Sequence, residues 1–236
     1  MKPATLLVVA ALLSSGPAMA MCHVPQPRLV SAEYFASKVV VQATLTKVEP
    51  VLEQKDDPLS VLAYVYTLRA NRLLRGNIGG VFHVYEGNDS GRASFRWKVG
   101  RQYLLFLFYA KNVQAWALDG CGNSGPMTRA QPALDQIQAI QTSSDGGVIR
   151  GIVTQSNLGT PVSGVHLEAR GTGGIFTGVS DHVGNFEIKV PAGRYTLHAR
   201  KKGLKFRTHE LSYEKANDLT IQPGGCVQVQ LVPPSP

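Results

Sequence analysis

The pattern of hydrophobic and polar positions changes character near residue 145. Before it, strand-type runs alternate with turns and end in one helix-type repeat, whereas short strand patterns alone follow it. The stretch between the two parts, residues 143–147, has the sequence SSDGG, whose small and polar residues suit a flexible join. We therefore predict an all-β protein with two domains, residues 21–145 and residues 146–236.

The first domain combines five strand patterns with short helices. Alternation is clearest around Tyr64, Tyr66 and Leu68, which fall on one side of a long predicted strand. Ser31 is a candidate cap for a short early helix, and an apolar face at helical spacing follows Pro132. Five strands with a terminal helix suit a small closed β-barrel. The predicted strands span residues 37–50, 61–76, 80–87, 102–110 and 113–120.

The second domain is predicted to be a seven-stranded, immunoglobulin-like β-sandwich. Val165, Leu167 and Ala169 would face the core, while the residues between them would face water. Turns rich in Gly, Pro, Asp and Asn separate the strands. The predicted strands span residues 147–155, 164–170, 174–180, 184–190, 193–201, 204–211 and 226–232.

Residues 1–20 have the features of a secretory signal peptide. Lys2 precedes an unbroken apolar run, and residues 18–20 give the small-x-small pattern that signal peptidase accepts. The apolar run is shorter than the roughly 20 residues that span a bilayer, and no later stretch approaches that length. We expect a secreted or periplasmic protein without a transmembrane segment.

Cleavage after Ala20 would leave Met21 first and Cys22 second. The alternative is a lipoprotein signal, in which Cys22 would be lipidated and would become the first residue. Met21 disfavours it, because a small residue is normally required at that position. The chain has three cysteines, Cys22, Cys121 and Cys226, so export predicts one disulfide and one cysteine left over, with three pairings open.

The formal net charge of +8 would favour acidic partners, but the basic residues are spread along the chain. Their densest run is Arg200-Lys201-Lys202. We interpret this run as a solvated hairpin tip, with a polyanion-binding patch as the alternative.

We expect no catalysis, no resident metal and no cofactor. The nucleophile-elbow, zinc-protease and phosphate-loop motifs are absent from the sequence, and the adjacent Asp56 and Asp57 fit a solvated turn. His166 and His198 are weak metal-ligand candidates on the outer face of the sandwich. Glu168 and Glu187 are expected near them.

Nucleic acid is not an expected partner. Single strands bind such barrels through aromatic side chains on a basic groove, whereas an exported chain meets little nucleic acid. The aromatics of the predicted strands are expected in the core; they are Tyr64, Tyr66, Phe82 and Tyr85.

The second half resembles the carboxypeptidase regulatory-like family, relatives of transthyretin. The resemblance covers about residues 147–232, including the segment Pro161–Val165 and the stretch SDHVGNFEIKVPAGRYTLHARKKG. It implies a transthyretin-like sandwich and says little about function, because such modules serve as stalks, spacers and docking units. The lysine–asparagine crosslink of some relatives is not expected, since residues 147–155 contain no lysine.

The first half is similar to the netrin-like module of tissue inhibitors of metalloproteinases. The similarity covers about residues 21–143 and includes Cys22 followed by Pro25, the segment FRWKVGRQYLLFLF, and GCGNSGPMTRA before a helix. It implies an OB-fold barrel and a Cys22–Cys121 disulfide that staples the leading segment to the barrel. A second cysteine pair common in such bacterial-type proteins is missing here.

In the animal inhibitors, the free amino group and carbonyl of an N-terminal cysteine chelate the zinc of the protease. The corresponding inhibitory edge of this chain would be formed by Met21, Cys22, His23, Val24 and Pro25. A chain starting at Met21 lacks the chelating amine, because the nitrogen of Cys22 is then a peptide amide. The role we expect is therefore non-catalytic binding or scaffolding, with an extracellular or envelope protein or glycan as partner. Metalloprotease inhibition and polysaccharide or cell-surface adhesion are the alternatives.

Overall fold

The computed structural model describes residues 27–55, 57, 59–89, 92–144, 146–156, 159–209 and 212–234. The predicted signal peptide, the predicted inhibitory edge at Met21–Pro25 and Asp56 lie outside these residues. Within the described residues, no helix is long and apolar enough to cross a membrane.

The first domain is a β-barrel with helices packed on its outside. The elements are α1 (Val30–Ala36), β1 (Val39–Leu52), β2 (Val61–Arg75), β3 (Val81–Gly87), β4 (Gln102–Ala110), β5 (Ala115–Leu118), β6 (Gly125–Pro126) and α2 (Gln131–Thr142). Strands β1, β2, β3, β5 and β4 are hydrogen-bonded in that order, and β4 pairs again with β1, which closes the ring. The short strand β6 is added beyond β4, and a 3₁₀ turn links it to α2.

Alternation along the strands builds two apolar layers in this domain. One side of each strand fills the barrel, with Leu45 and Leu68 fully buried there. On the outer side of the barrel, Val40 and Phe106 meet Ile137 of α2. The predicted helix is confirmed as α2. Its apolar side covers one outer face of the barrel and protects that face from water.

The second domain is a sandwich of two four-stranded sheets. The strands are β7 (Gly147–Val153), β8 (His166–Gly171), β9 (Gly174–Val179), β10 (Asn185–Val190), β11 (Gly193–Arg200), β12 (Arg207–Thr208), β13 (Leu219–Ile221) and β14 (Cys226–Val232). One sheet has the order β10-β7-β14-β12 and the other the order β13-β11-β8-β9. The described part of this domain therefore has eight strands rather than the predicted seven, because the unpredicted strand β13 pairs with β11.

The predicted alternation in the sandwich is confirmed. Val165, Leu167 and Ala169 are buried in a core to which both sheets contribute, whereas His166 and Arg170 are exposed. Strand β14 is buried along its whole length, since it lies in the middle of its sheet and its outer side is covered in part by α1.

Residues 27–29 connect the two domains as a strap. Gln228 of β14 donates from Nε2 to the carbonyl oxygen of Pro27, and its Oε1 accepts from the backbone N–H of Leu29, both at 3.0 Å. The guanidinium of Arg28 lies 4.5 Å from the ring centroid of Tyr213 and 3.0 Å from a carboxylate oxygen of Asp119. Side chains of both domains thus hold the strap on its two sides.

Candidate binding site

The two histidine candidates lie on neighbouring strands without forming a ligand set. His166 is opposite Arg200, and His198 is opposite Glu168. The Glu168 carboxylate is bonded by Arg170, which lowers its pKa. Among the described residues, no group of three or more His, Cys, Asp or Glu side chains is arranged to hold a metal ion.

The prediction that Glu187 lies near the histidines is wrong. Glu187 belongs to β10, in the other sheet of the sandwich, and pairs there with Arg150 at 2.6 Å. Alternation in a short strand indicates which side chains face outward, but it does not indicate to which of the two sheets the strand belongs. The sequence pattern therefore could not assign β10 to a sheet. Asp57 accepts a hydrogen bond from the backbone of Leu59, which fits the predicted turn.

The cysteines have different environments. Cys226 is a free, buried thiol, and burial raises its pKa to about 11. Cys121 is not free. Cys22, its predicted disulfide partner, lies outside the described residues, so the pairing stays a prediction. The inhibitor alternative rests on Met21–Pro25, which lie outside the described residues as well.

A cavity with a volume of about 1380 Å³ lies at one end of the barrel. We call it the barrel mouth. Its wall is formed by strands β1, β2, β3, β4 and β6, by the loop from β3 to β4, and by the 3₁₀ turn after β6. Its described lining residues are Val48, Tyr64, Tyr66, Glu86, Arg92, Ala93, Ser94, Phe95, Arg96, Trp97, Lys98, Gly100, Arg101, Gln102, Tyr103, Pro126, Met127, Thr128 and Arg129.

An aromatic cluster forms the floor of the barrel mouth. Trp97 is stacked on Tyr66 with 4.5 Å between ring centroids, and its centroid lies 4.7 Å from that of Tyr103. Phe95 lies 5.0 Å from Trp97, and Tyr64 lies 6.2 Å from Tyr66. Tyr66 and Tyr103 are buried, whereas Tyr64, Phe95 and Trp97 are half-buried and present part of their surface to the cavity.

The buried carboxylate of Glu86 holds this cluster in place through hydrogen bonds. The side chain of Glu86 is 9% exposed. Its Oε2 accepts from the Tyr66 hydroxyl at 2.7 Å, and its Oε1 accepts from the backbone N–H of Ala93 at 2.8 Å and from the indole N–H of Trp97 at 3.5 Å. Burial, aided by this hydrogen bond, raises the pKa of Tyr66 well above its usual value, so the hydroxyl remains a donor.

Residues 95–98, in the loop from β3 to β4, alternate between inward and outward positions as the residues of a strand do, although they form no strand. Phe95 and Trp97 turn inward, while Arg96 and Lys98 turn outward. The turn at Gly100 has φ +82°, in the left-handed region that glycine adopts without strain. The backbone N–H of Gly100 donates to the carbonyl of Leu45 at 2.8 Å, which anchors the loop to β1.

Five basic residues surround the aromatic floor; they are Arg92, Arg96, Lys98, Arg101 and Arg129. Glu86 is the sole carboxylate among the described lining residues. Arg92 donates to the side-chain oxygen of Asn88 at 2.8 Å. In the described part of the chain, no carboxylate lies within ion-pair distance of Arg96, Lys98, Arg101 or Arg129. The rim therefore carries a positive charge that the described residues leave uncompensated.

The predicted core aromatics are Tyr64, Tyr66, Phe82 and Tyr85, and the sequence pattern does not predict the barrel mouth. Tyr66 and Phe82 are core residues, as predicted. Tyr64 packs against this core and also lines the mouth, and Tyr85 is half-buried, alternating with the inward-facing residues of β3. The available signal was the alternation of aromatic and basic residues in FRWK, residues 95–98, which no predicted strand included.

Comparison with known families identifies part of the chain. Residues 148–230 match the model of the carboxypeptidase regulatory-like domain, so the second domain contains a domain of this kind. This confirms the resemblance of the second half and its β-sandwich architecture. A search of curated proteins found no match to the chain.

Proposed function

We propose that this chain is a non-catalytic binding or scaffold protein of the periplasm or the cell exterior. The first domain is a netrin-like barrel of OB-fold type, and the barrel mouth is its ligand-binding face. The leader of residues 1–20 directs export, and a Cys22–Cys121 disulfide ties the leading segment to the barrel. The carboxypeptidase regulatory-like domain holds and presents the barrel.

The observation that carries this proposal is the construction of the barrel mouth. Binding sites are concave, partly apolar surfaces with a few polar groups in fixed places. Here Trp97 and Phe95 are held by stacking and by the hydrogen bonds of Glu86, so binding would cost little ordering of the floor. The cations at the rim would supply orientation and attraction.

The strap supports a scaffold role for the second domain. Gln228 bonds to two backbone groups of the strap, and Arg28 contacts residues of both domains. Such contacts limit independent rotation of the barrel relative to the sandwich. The sandwich would therefore fix the direction in which the barrel mouth faces.

A capture experiment with matched variants tests the proposal. The wild-type protein, an Arg96→Glu/Arg101→Glu variant and a Lys201→Glu/Lys202→Glu control are immobilised and incubated with envelope and secreted fractions of the producing cells. Both variants change the charge equally, at exposed positions of different domains. Bound proteins are identified by mass spectrometry and bound glycans by sugar analysis.

We expect one set of bound molecules that the wild type and the control retain and the mouth variant loses. The proposal is wrong if the wild type retains nothing above an empty matrix. It is also wrong if all three proteins retain the same molecules equally.

A further inference from the structure

The cations of the barrel mouth define the charge of its ligand. Arg96, Lys98 and Arg101 are exposed and have no carboxylate partner among the described residues. Glu86 does not offer its oxygens to a ligand, because both accept hydrogen bonds from the protein and the side chain is buried. An anionic ligand would gain charge-assisted hydrogen bonds at the rim.

The aromatic floor defines a second property. Tyr66 covers one face of Trp97, with an angle of 24° between the ring planes, and Phe95 and Tyr103 pack against the same indole. Tyr64, Phe95 and Trp97 are half-buried, and each presents part of its ring surface to the cavity. The C–H groups on one side of a sugar ring can pack on such surfaces. A nucleic-acid base can stack there as well, but a chain exported as proposed meets little nucleic acid.

The size of the cavity favours a chain over a small molecule. Its volume of about 1380 Å³ exceeds the roughly 300–1,000 Å³ of small-molecule pockets. A neighbouring cavity of about 300 Å³ shares Ser94, Phe95, Pro126 and Arg129 with the barrel mouth. The two cavities together give an elongated path from the barrel end towards helix α2.

We propose that the barrel mouth binds a segment of an anionic polysaccharide whose sugars carry carboxylate or sulfate groups. This inference rests on the proposed function, since it names the ligand class of the same site. Arg92, Arg96, Lys98, Arg101 and Arg129 bind the acidic groups, and Tyr64, Phe95 and Trp97 contact the sugar rings.

Biolayer interferometry with immobilised full-length protein tests this proposal. The probes are polygalacturonate, which carries carboxylates; chondroitin sulfate, which also carries sulfates; dextran, which is neutral; and a single-stranded oligothymidylate, which carries phosphates. Each probe is measured at 50 and 300 mM NaCl with the wild type, Arg96→Glu/Arg101→Glu, the control Lys201→Glu/Lys202→Glu, and Tyr64→Leu. Circular dichroism verifies that each variant is folded.

We expect saturable binding of polygalacturonate, chondroitin sulfate or both, weakened at least tenfold by Arg96→Glu/Arg101→Glu and less than threefold by the control. Tyr64→Leu should weaken binding about threefold without a change in charge, which separates ring contact from ion exchange. Higher salt should weaken binding, and dextran should not bind.

The inference is overturned if neither anionic glycan binds, if the mouth variant binds them as the wild type does, or if oligothymidylate binds more tightly than both. The proposed function still stands after such a result if the wild type in the capture experiment retains a partner that the mouth variant loses. A protein ligand of the mouth would give this outcome. When the capture experiment also shows no dependence on the mouth, both proposals are wrong.

Discussion

The barrel and the sandwich differ in how they place their charges. The barrel buries carboxylates in hydrogen-bond networks, with Glu33 and Glu86 at 1% and 9% exposure, and leaves rim cations without carboxylate partners in the described residues. The sandwich pairs Glu168 with Arg170 and Glu187 with Arg150 at its surface. An excess of positive charge therefore lies at the barrel mouth, where aromatic rings are also present.

This comparison shows that the density of basic residues along a sequence does not locate a binding site. The densest run, Arg200-Lys201-Lys202, lies at the end of β11, and Lys201 there donates to the carbonyl of Ser163 at 2.7 Å. Among the described residues that line the shallow cavity at this run, Phe206 is the only Phe, Tyr or Trp. The cations of the mouth come from separate segments and acquire a common role through the fold.

The largest stability difference is expected between a buried and an exposed carboxylate. Glu86→Ala removes the acceptor of the buried Tyr66 hydroxyl and of the partly buried Ala93 amide, which leaves both donors unsatisfied. We expect it to lower the free energy of unfolding by about 3 kcal/mol. The matched variant Glu187→Ala removes an exposed ion pair and should cost less than about 1 kcal/mol.

Urea denaturation followed by tryptophan fluorescence and circular dichroism measures both variants. Equal losses of stability at the two sites would contradict the distinction between the barrel network and the sandwich surface.

The second prediction concerns the strap that joins the two regions. Gln228→Ala removes both hydrogen bonds to residues 27–29 and should lower the free energy of unfolding by about 2 kcal/mol. Because the strap holds the domains together, barrel and sandwich signals should also separate during thermal unfolding. Gln138→Ala, an exposed change on α2, is the control. Coincident unfolding signals with unchanged stability would refute a coupling role for the strap.

The smallest effect on stability is expected from the titration of the buried Glu33 side chain. Burial raises its pKa above the usual 4.5, although Arg28 and the hydrogen bonds from Asn123 act in the opposite direction. The folded chain then holds the proton more tightly than the unfolded chain, so the stability from this group is present below about 4.5 and is lost as the pH rises through the raised pKa.

Glu33→Gln tests this direction, because one Gln oxygen can still accept from the backbone and side-chain N–H groups of Asn123, now at 2.6 and 2.7 Å from Oε2. The stability of the wild type relative to this variant should decrease as the pH rises from 4 to 8. A relative stability that increases over this range would mean that the carboxylate is favoured in the folded protein.

Sequence reasoning was strongest where one local pattern decides the structure. The alternation around Tyr64 and Leu68 predicted β2, and the apolar face after Pro132 predicted α2. It missed β13, because a strand of three residues, Leu219–Ile221, carries too little alternation to stand out. It also made β5 too long, since the predicted span of residues 113–120 includes Val113 of the preceding turn and residues 119–120 beyond the strand.

The barrel mouth was harder to predict because its parts come from distant segments. Tyr64 and Arg129 lie far apart in sequence and line one cavity only after the barrel has closed. The predicted core aromatics are Tyr64, Tyr66, Phe82 and Tyr85, whereas Phe95 and Trp97 lie in no predicted strand. The half-buried state of Trp97 depends on how the loop from β3 to β4 folds over the barrel end.

The most direct test of the central claim uses Trp97 as a reporter of the barrel mouth. The chain has two tryptophans, and Trp116 lies in a different cavity, so a Trp116→Phe variant isolates the signal of Trp97. Titration of this variant with an anionic polysaccharide that the protein binds should change the Trp97 emission saturably, and added salt should reverse the change. Unchanged Trp97 emission at a concentration where binding is complete would contradict the assignment of the barrel mouth as the ligand-binding site.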